Sequence, residues 1–352
     1  MTYFDASSFS ARSLGEENIA HAPLSEAKHR EVPVVGMRVF RQIFCLKILI
    51  PLMGLLRDIQ ADIETRMLRT GGWPFERGGR PAIETTCYAL MALAEAQGRA
   101  RRKAIDVLLK TQNRDGSWPA FEGDDPEGCW TTALALIAFR CSSLSGEPVD
   151  KAVRWLLHNK GREGHWFWKW KFRTVDRGVQ FNPDKYGWSW FPGTVSWVIP
   201  TALSVVALKQ SLPCCRTEQI TARIQLGTEM LRDRACPQGG WNAGNGVVFG
   251  AALTPHIDAT SIALLALTDD ADGTAVHGLE WLRQASVGCS SVYSLAWSVL
   301  AFSTHQDPAL DHCTERLAAV LSSKASISNV ETLSLAAIAM NAADGNGNPF
   351  EW

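Results

Sequence analysis

The chain has 352 residues, 46% of them hydrophobic and 20% charged, and 35 Lys and Arg against 36 Asp and Glu leave a formal net charge of -1. A chain of this length and apolar content can bury a large core, and its near-neutral balance excludes the basic footprint of a nucleic-acid binder. Nine cysteines, an odd number without C-x-x-C spacing, predict reduced thiols and a cytoplasmic setting rather than a disulfide framework, with Cys214-Cys215 an unexplained vicinal pair.

Residues 1–35 are polar and mixed in charge, show no secretory signal, and read as a poorly ordered leader. The most apolar stretch, Val39 to Leu56, is interrupted by Arg41, Lys47 and Pro51. It falls short of the roughly 20 residues a spanning helix requires, so it is either a packed first helix or a membrane-surface segment. From there to the C-terminus two kinds of segment alternate. Amphipathic, charged segments predict outer helices at about 56–69, 100–112, 149–160, 217–234, 274–285 and 308–322. The basic cluster Arg99, Arg101, Arg102 and Lys103 is the solvated start of one of them. Segments apolar on nearly every face predict inner helices at about 82–96, 127–141, 197–209, 256–268, 290–303 and 329–342.

Each inner segment opens on one recurring pattern, from Ile83-Glu84-Thr85-Thr86 through Trp130-Thr131-Thr132 and Ile199-Pro200-Thr201 to Ile257-Asp258-Ala259-Thr260, Tyr293-Ser294 and Glu331-Thr332. Six such repeats without a linker predict an all-α fold, an (α/α)6 toroid of six inner and six outer helices over residues 36–352. Four Gly-Trp turns join outer to inner helices: Gly71-Gly72-Trp73, Gly116-Ser117-Trp118, Gly164-His165-Trp166 and Gly239-Gly240-Trp241. Glycine supplies the positive φ that ends a helix, and tryptophan an apolar plug. One departure from the repeat is a Trp-rich loop at about 161–196, with Trp166, Trp168, Trp170, Trp188 and Trp190. Its alternating Trp-x-Trp pattern suits an extended hairpin, closing over the mouth of the toroid or packing on it as a plug.

These turns resemble a known family. Gln112-Asn113-Arg114-Asp115-Gly116-Ser117-Trp118 is similar to the Q-x-x-D-G-x-W repeat of squalene-hopene and oxidosqualene cyclases, within the terpenoid cyclase and protein prenyltransferase α/α toroids. The resemblance implies a protonating acid in an Asp-rich signature at the start of an inner helix. Pro255-His256-Ile257-Asp258-Ala259-Thr260 matches that signature locally and implies Asp258 as the acid, with His256 and Ala259 where neighbouring acids stand. Order along the chain instead implies Glu84, in Pro81-Ala82-Ile83-Glu84-Thr85-Thr86. The Asp-x-Cys zinc pair of the prenyltransferase β subunits is missing, as is a Cys-Gly-Glu-Gln thioester, so no metal site is expected. The cyclases in question build their site between two helical domains, so either this toroid is self-contained or a partner completes it.

Superposing the repeats puts Glu84, Trp130, Ile199, Asp258, Tyr293 and Glu331 in equivalent first turns, all directed to one mouth, with Glu84 and Asp258 on opposite sides. First-turn acids also serve as ordinary helix caps. Walled by aromatic side chains, a carboxyl would instead stay protonated and donate to an alkene or epoxide. Trp130, Trp197, Tyr293 and Trp297 would stabilise the cations that follow, with His256, Glu331, Trp168 and Trp190 completing the substrate wall. The acidic run Glu122-Gly123-Asp124-Asp125-Pro126-Glu127 is a solvated loop or a site for magnesium, which enters only with a diphosphate substrate. The expectation is a terpene cyclase/mutase-like isomerase or lyase acting on an apolar polyene or prenyl substrate in the central cavity. The alternatives are a non-catalytic lipid-binding or partner-dependent toroid, and a carbohydrate-active α/α barrel with paired acids.

Overall fold

The computed structural model describes residues 53–352 except 76–77, 125–126, 176–177, 179, 270–272 and 324–326. The leader 1–35, most of the apolar stretch 39–56, and Asp125 and Pro126 of the acidic run lie outside the described residues.

Six helices are buried almost all round, as their apolar sequences require: α2 (Ile83–Ala92), α4 (Thr131–Cys141), α7 (Val198–Lys209), α9 (Ile257–Ala266), α11 (Val292–Thr304) and α13 (Val330–Ala343). Between them run the amphipathic helices α1 (53–65), α3 (Gly98–Thr111), α5 (Glu147–His158), α8 (Glu218–Asp233), α10 (Thr274–Val287) and α12 (Leu310–Ser323). Each buries one stripe, such as Val149, Ala152, Val153 and Leu156 of α5 at i, i+3, i+4 and i+7. The inner helices pack in the order α2, α4, α7, α9, α11, α13 and back to α2. That closed order makes the inner layer a ring with α2 and α9 on opposite sides. No described helix is long and apolar enough to cross a membrane.

The tryptophan plugs follow one rule in four repeats. Nε1 of Trp73, Trp118, Trp188 and Trp241 donates to the carbonyls of Ile63, Leu108, Leu156 and Leu231 at 2.7–2.8 Å, tying off an outer helix. The same residues' backbone N–H groups donate to Oγ1 of Thr86, Thr132, Thr201 and Thr260 in the next inner helix. All four rings are fully buried, so each plug satisfies its polar atoms where water cannot reach. Gly116 shows why the turn needs glycine: its φ is +96°, and a Cβ there would stand 2.5 Å from the Lys151 carbonyl.

The third plug is Trp188, not Trp166 as the Gly164-His165-Trp166 pattern suggests; Trp166 is 74% exposed. An insertion separates Trp188 from the carbonyl it binds, at 32 residues where the other plugs have 10. Nor does the Trp-rich segment form an extended hairpin: Trp166–Thr174 is helix α6. The alternation misleads because Trp166/Trp170 and Trp168/Phe172 are two i, i+4 pairs on opposite helix faces, which a period of two mimics over seven residues. The one described strand pair is the short hairpin Val247–Val248 (β1) and Ala251–Ala252 (β2).

Two buried arginines tie the insertion to the ring. Arg234 of the α8 C-terminus pairs with Glu163 at 3.7 Å, and Glu163 accepts the Ser196 N–H. Arg223 stacks on Trp188 at 3.6 Å and donates to the Asn159 and Gly187 carbonyls, and burial lowers its pKa to about 10.

Candidate active site

The ring order brings the first turns of α2 and α13 side by side, and with them Glu84 and Glu331. The two carboxyls lie close enough for each to act on the other's titration. Burial pushes Glu84 well above the ordinary value of 4.5, and Glu331 beside it raises it further. Glu331, 7% exposed, is also raised by burial, while Glu84 works the other way. Burial therefore favours retention of a proton by the pair as a unit.

Neither carboxyl acts as a helix cap. The Ala82 N-cap of α2 makes no side-chain bond, and α13 is capped by Asn329, whose Oδ1 accepts from the Glu331 N–H at 2.8 Å. The first N–H groups are thus served by other partners, that of Ile83 by the Ala120 carbonyl and that of Glu331 by Asn329.

One turn below Glu84 lies Tyr88, a residue the sequence pattern did not single out. Burial raises its phenol well above 10, and Glu84, Tyr293 and Glu331 all contribute to that rise. Tyr293 is raised by burial first and then by Glu331, with smaller effects of Glu84 and Asp258. Carboxyls and phenols thus form one electrostatic cluster in which each group's titration depends on its neighbours. Beneath it Trp297 is fully buried, edge-on to Tyr88 at 6.0 Å and to Tyr293 at 6.3 Å. Its Nε1 has no hydrogen-bond partner, and neither has Ser334 Oγ, one turn below Glu331.

Tyr88 and Trp297 sit on α2 and α11, which are separated by α13, so their contact crosses the inside of the ring. Phe350 reaches the same place from the other end, packed on Trp297 at 5.1 Å and fully buried. Asn348 holds that C-terminal segment through Leu300 O and Thr304 Oγ1, and Gln210 through Pro349 O. The axis below the acids is thus filled with rings rather than open as a central cavity. A separate cleft of about 790 Å³, lined by Arg101, Arg140, Gln210 and the C-terminal segment, opens at the opposite end, away from the acids.

Around the mouth the other expected residues are dispersed. Asp258 is half-buried in the first turn of α9, on the opposite side of the ring from Glu84. His256 is exposed, its Nε2 3.3 Å from Asn242 Nδ2. Trp130 stacks edge-on against Trp190 at 5.1 Å, and its N–H donates to the Trp190 carbonyl, which fastens the insertion to the start of α4. Trp197 precedes α7 and lies against Gly244. Trp168 sits on the inward face of α6 between Arg162 and Lys171 at 4.6 and 4.8 Å, engaged by those cations rather than turned to the acids. Among the described residues no three His, Cys, Asp or Glu side chains are grouped to hold a metal ion.

With this geometry in hand, comparison with known proteins is informative. No family model matches the chain. The drimenyl diphosphate synthase of Streptomyces showdoensis is 30% identical over 99 residues, which are 27% of this chain and only 19% of that protein. Among solved structures, the type II terpene cyclase MstE from Scytonema, bound to geranylgeranyl dihydroxybenzoate, matches with a TM-score of 0.57 at 12% identity, covering 84% of this chain and 97% of its own. The chain has the α/α-toroid fold that this cyclase also has. The same fold serves other chemistry: a family 76 α-mannanase of Bacteroides thetaiotaomicron matches with a TM-score of 0.59 at 10% identity, covering 84% and 96%. Likeness at this level describes the toroid, and what the toroid does rests on its own side chains.

Proposed function

We propose that this toroid is a cyclase-like enzyme that binds an apolar polyene or prenyl substrate at its mouth and starts cyclisation by protonation from Glu84. The observation that carries the reading is the pairing of half-buried Glu84 with buried Glu331, in which burial raises both carboxyls toward their protonated forms beside aromatic walls. In the proposed step the Glu84 proton moves to one carbon of a double bond, whose π electrons form the new C–H bond and leave a cation on the other carbon. Further double bonds of the chain attack in turn, closing rings. The last cation loses a proton to the Glu84 carboxylate or to water, so the product is an isomer and no oxidant is consumed. Trp130, Trp190, Trp197 and Tyr293 offer ring faces, each worth about 0.5–2 kcal/mol to a nearby cation.

Glycoside chemistry is less well supported. Two carboxyls that flank a glycosidic bond stand about 5 Å or more apart with the bond between them, whereas Glu84 and Glu331 act directly on each other's titration. Purified protein incubated with squalene, oxidosqualene and prenyl diphosphates of several lengths should yield a cyclised isomer by mass spectrometry. Glu84→Gln should slow its formation by about 10²–10⁴-fold. A folded protein that turns over none of these substrates, yet retains polyene binding, would make the toroid a binding module instead.

A further inference from the structure

We propose that α6 and the mouth loops beside it form a docking surface for an anionic phospholipid bilayer. The helix has two apolar faces. Trp168 and Phe172 point inward, Phe172 against Phe181 at 5.1 Å. Trp166, Phe167 and Trp170 form a second face, 74%, 42% and 55% exposed, with no described element covering them. At about 100° per residue, Lys169 and Arg173, which share the single carboxylate of Asp184, fall on one flank of that outer stripe, and Lys171, over the edge of Trp168, on the other. An aromatic stripe between two rows of cations is the composition that settles at a headgroup boundary, rings among the acyl chains and amines among phosphates. A protein interface core is depleted of lysine instead.

The stripe continues onto neighbouring loops. The 3₁₀ turn before α6, Arg162–Gly164, is bonded to Thr194 O, and the Phe191 carbonyl accepts from Thr194, which brings half-exposed Phe191 into the same region. After α6, Gly178 O accepts the N–H of Phe249, which is 85% exposed at the tip of the β1–β2 hairpin. The charge is local as well. Residues 160–196 hold seven Lys and Arg against Glu163, Asp176 and Asp184, in a chain whose total is -1. Glu163 is buried against Arg234, so it subtracts nothing from the surface. This surface borders the mouth, because the residues that bind Arg162 lead directly into α7, but the proposal does not depend on the cyclase reading.

Flotation of the full chain with vesicles tests it without substrate. Binding is expected to phosphatidylcholine vesicles containing phosphatidylglycerol, weaker to phosphatidylcholine alone, and weaker with added salt. Trp166→Ser/Phe167→Ser/Trp170→Ser should lower the partition coefficient at least about tenfold for both lipids. Lys171→Glu should lower it about tenfold for the anionic vesicles only. Helical circular dichroism and melting temperature should be unchanged in both variants, since the altered side chains are solvent-facing or flank the stripe. Failure of the wild-type chain to float overturns the proposal. So does undiminished flotation of the triple variant, which would move the contact elsewhere, such as to residues 39–56. A wild-type dimer in light scattering that the triple variant converts to monomer, without vesicle binding, would assign the stripe to a second copy of the chain and equally overturn it.

Discussion

At Glu84 the same burial that keeps a proton available also works against the fold. Its pKa is raised in the folded chain, so the stability associated with it is complete below about 4.5 and is lost as pH rises through the folded value. Glu84→Gln cannot ionise and should flatten that decline, raising the melting temperature at alkaline pH by about 2–4 °C while leaving it little changed at pH 4. Melts across pH 4 to 9 check the sign, and a variant less stable than the wild type at pH 9 would show the carboxyl to be ionised at no cost. Glu331 is a positioning residue on this account. Glu331→Gln removes the charge that helps hold the proton on Glu84, so the alkaline limb of the pH–rate profile should move to lower pH. A merely structural role would lower the rate without moving that limb.

Among elements, the Gly-Trp turn is the unit that repeats most faithfully. Trp241 fills the space between α8 and α9, its Nε1 bound to Leu231 O and its N–H to Thr260. Trp241→Ala should cost about 3–5 kcal/mol through the cavity it leaves. Trp241→Phe keeps most of the packing and removes one of two donors from the Leu231 carbonyl, which still accepts the Arg234 N–H at 3.2 Å, so it should cost about 0.5–1.5 kcal/mol. Urea titration of both variants checks the order. These turns were legible because glycine, aspartate and tryptophan each carry a backbone or packing requirement at a set spacing. The inner and outer helices were legible for a similar reason, since an all-round apolar run and a striped one have different neighbours. Trp166 was mistaken for a plug because the insertion moved the true plug beyond the local window, to Trp188, whose partner Leu156 lies 32 residues back. The helical state of α6 was hidden by paired i, i+4 aromatics that imitate a strand.

For the whole molecule, the feature hardest to read along the chain is closure. Glu84 and Glu331 occupy equivalent places in the first and last repeats, and only a ring makes those repeats neighbours; along the chain they are the farthest apart. Superposition alone therefore directs attention to the opposite pair, Glu84 and Asp258, and passes over Tyr88 one turn below. Closure also sets how the fold comes apart. An open array loses terminal repeats first, whereas a ring in which α13 packs on α2 has no free end to fray. Phe350 secures that ring from inside by packing on Trp297. Phe350→Ala should lower the unfolding free energy by about 3–5 kcal/mol. If closure makes the ring one cooperative unit, helical circular dichroism and tryptophan fluorescence should shift together to the same lower urea midpoint. A fluorescence transition that separates from the loss of helix would mean that the inner ring opens repeat by repeat, and that the Glu84–Glu331 contact parts before the rest of the toroid unfolds.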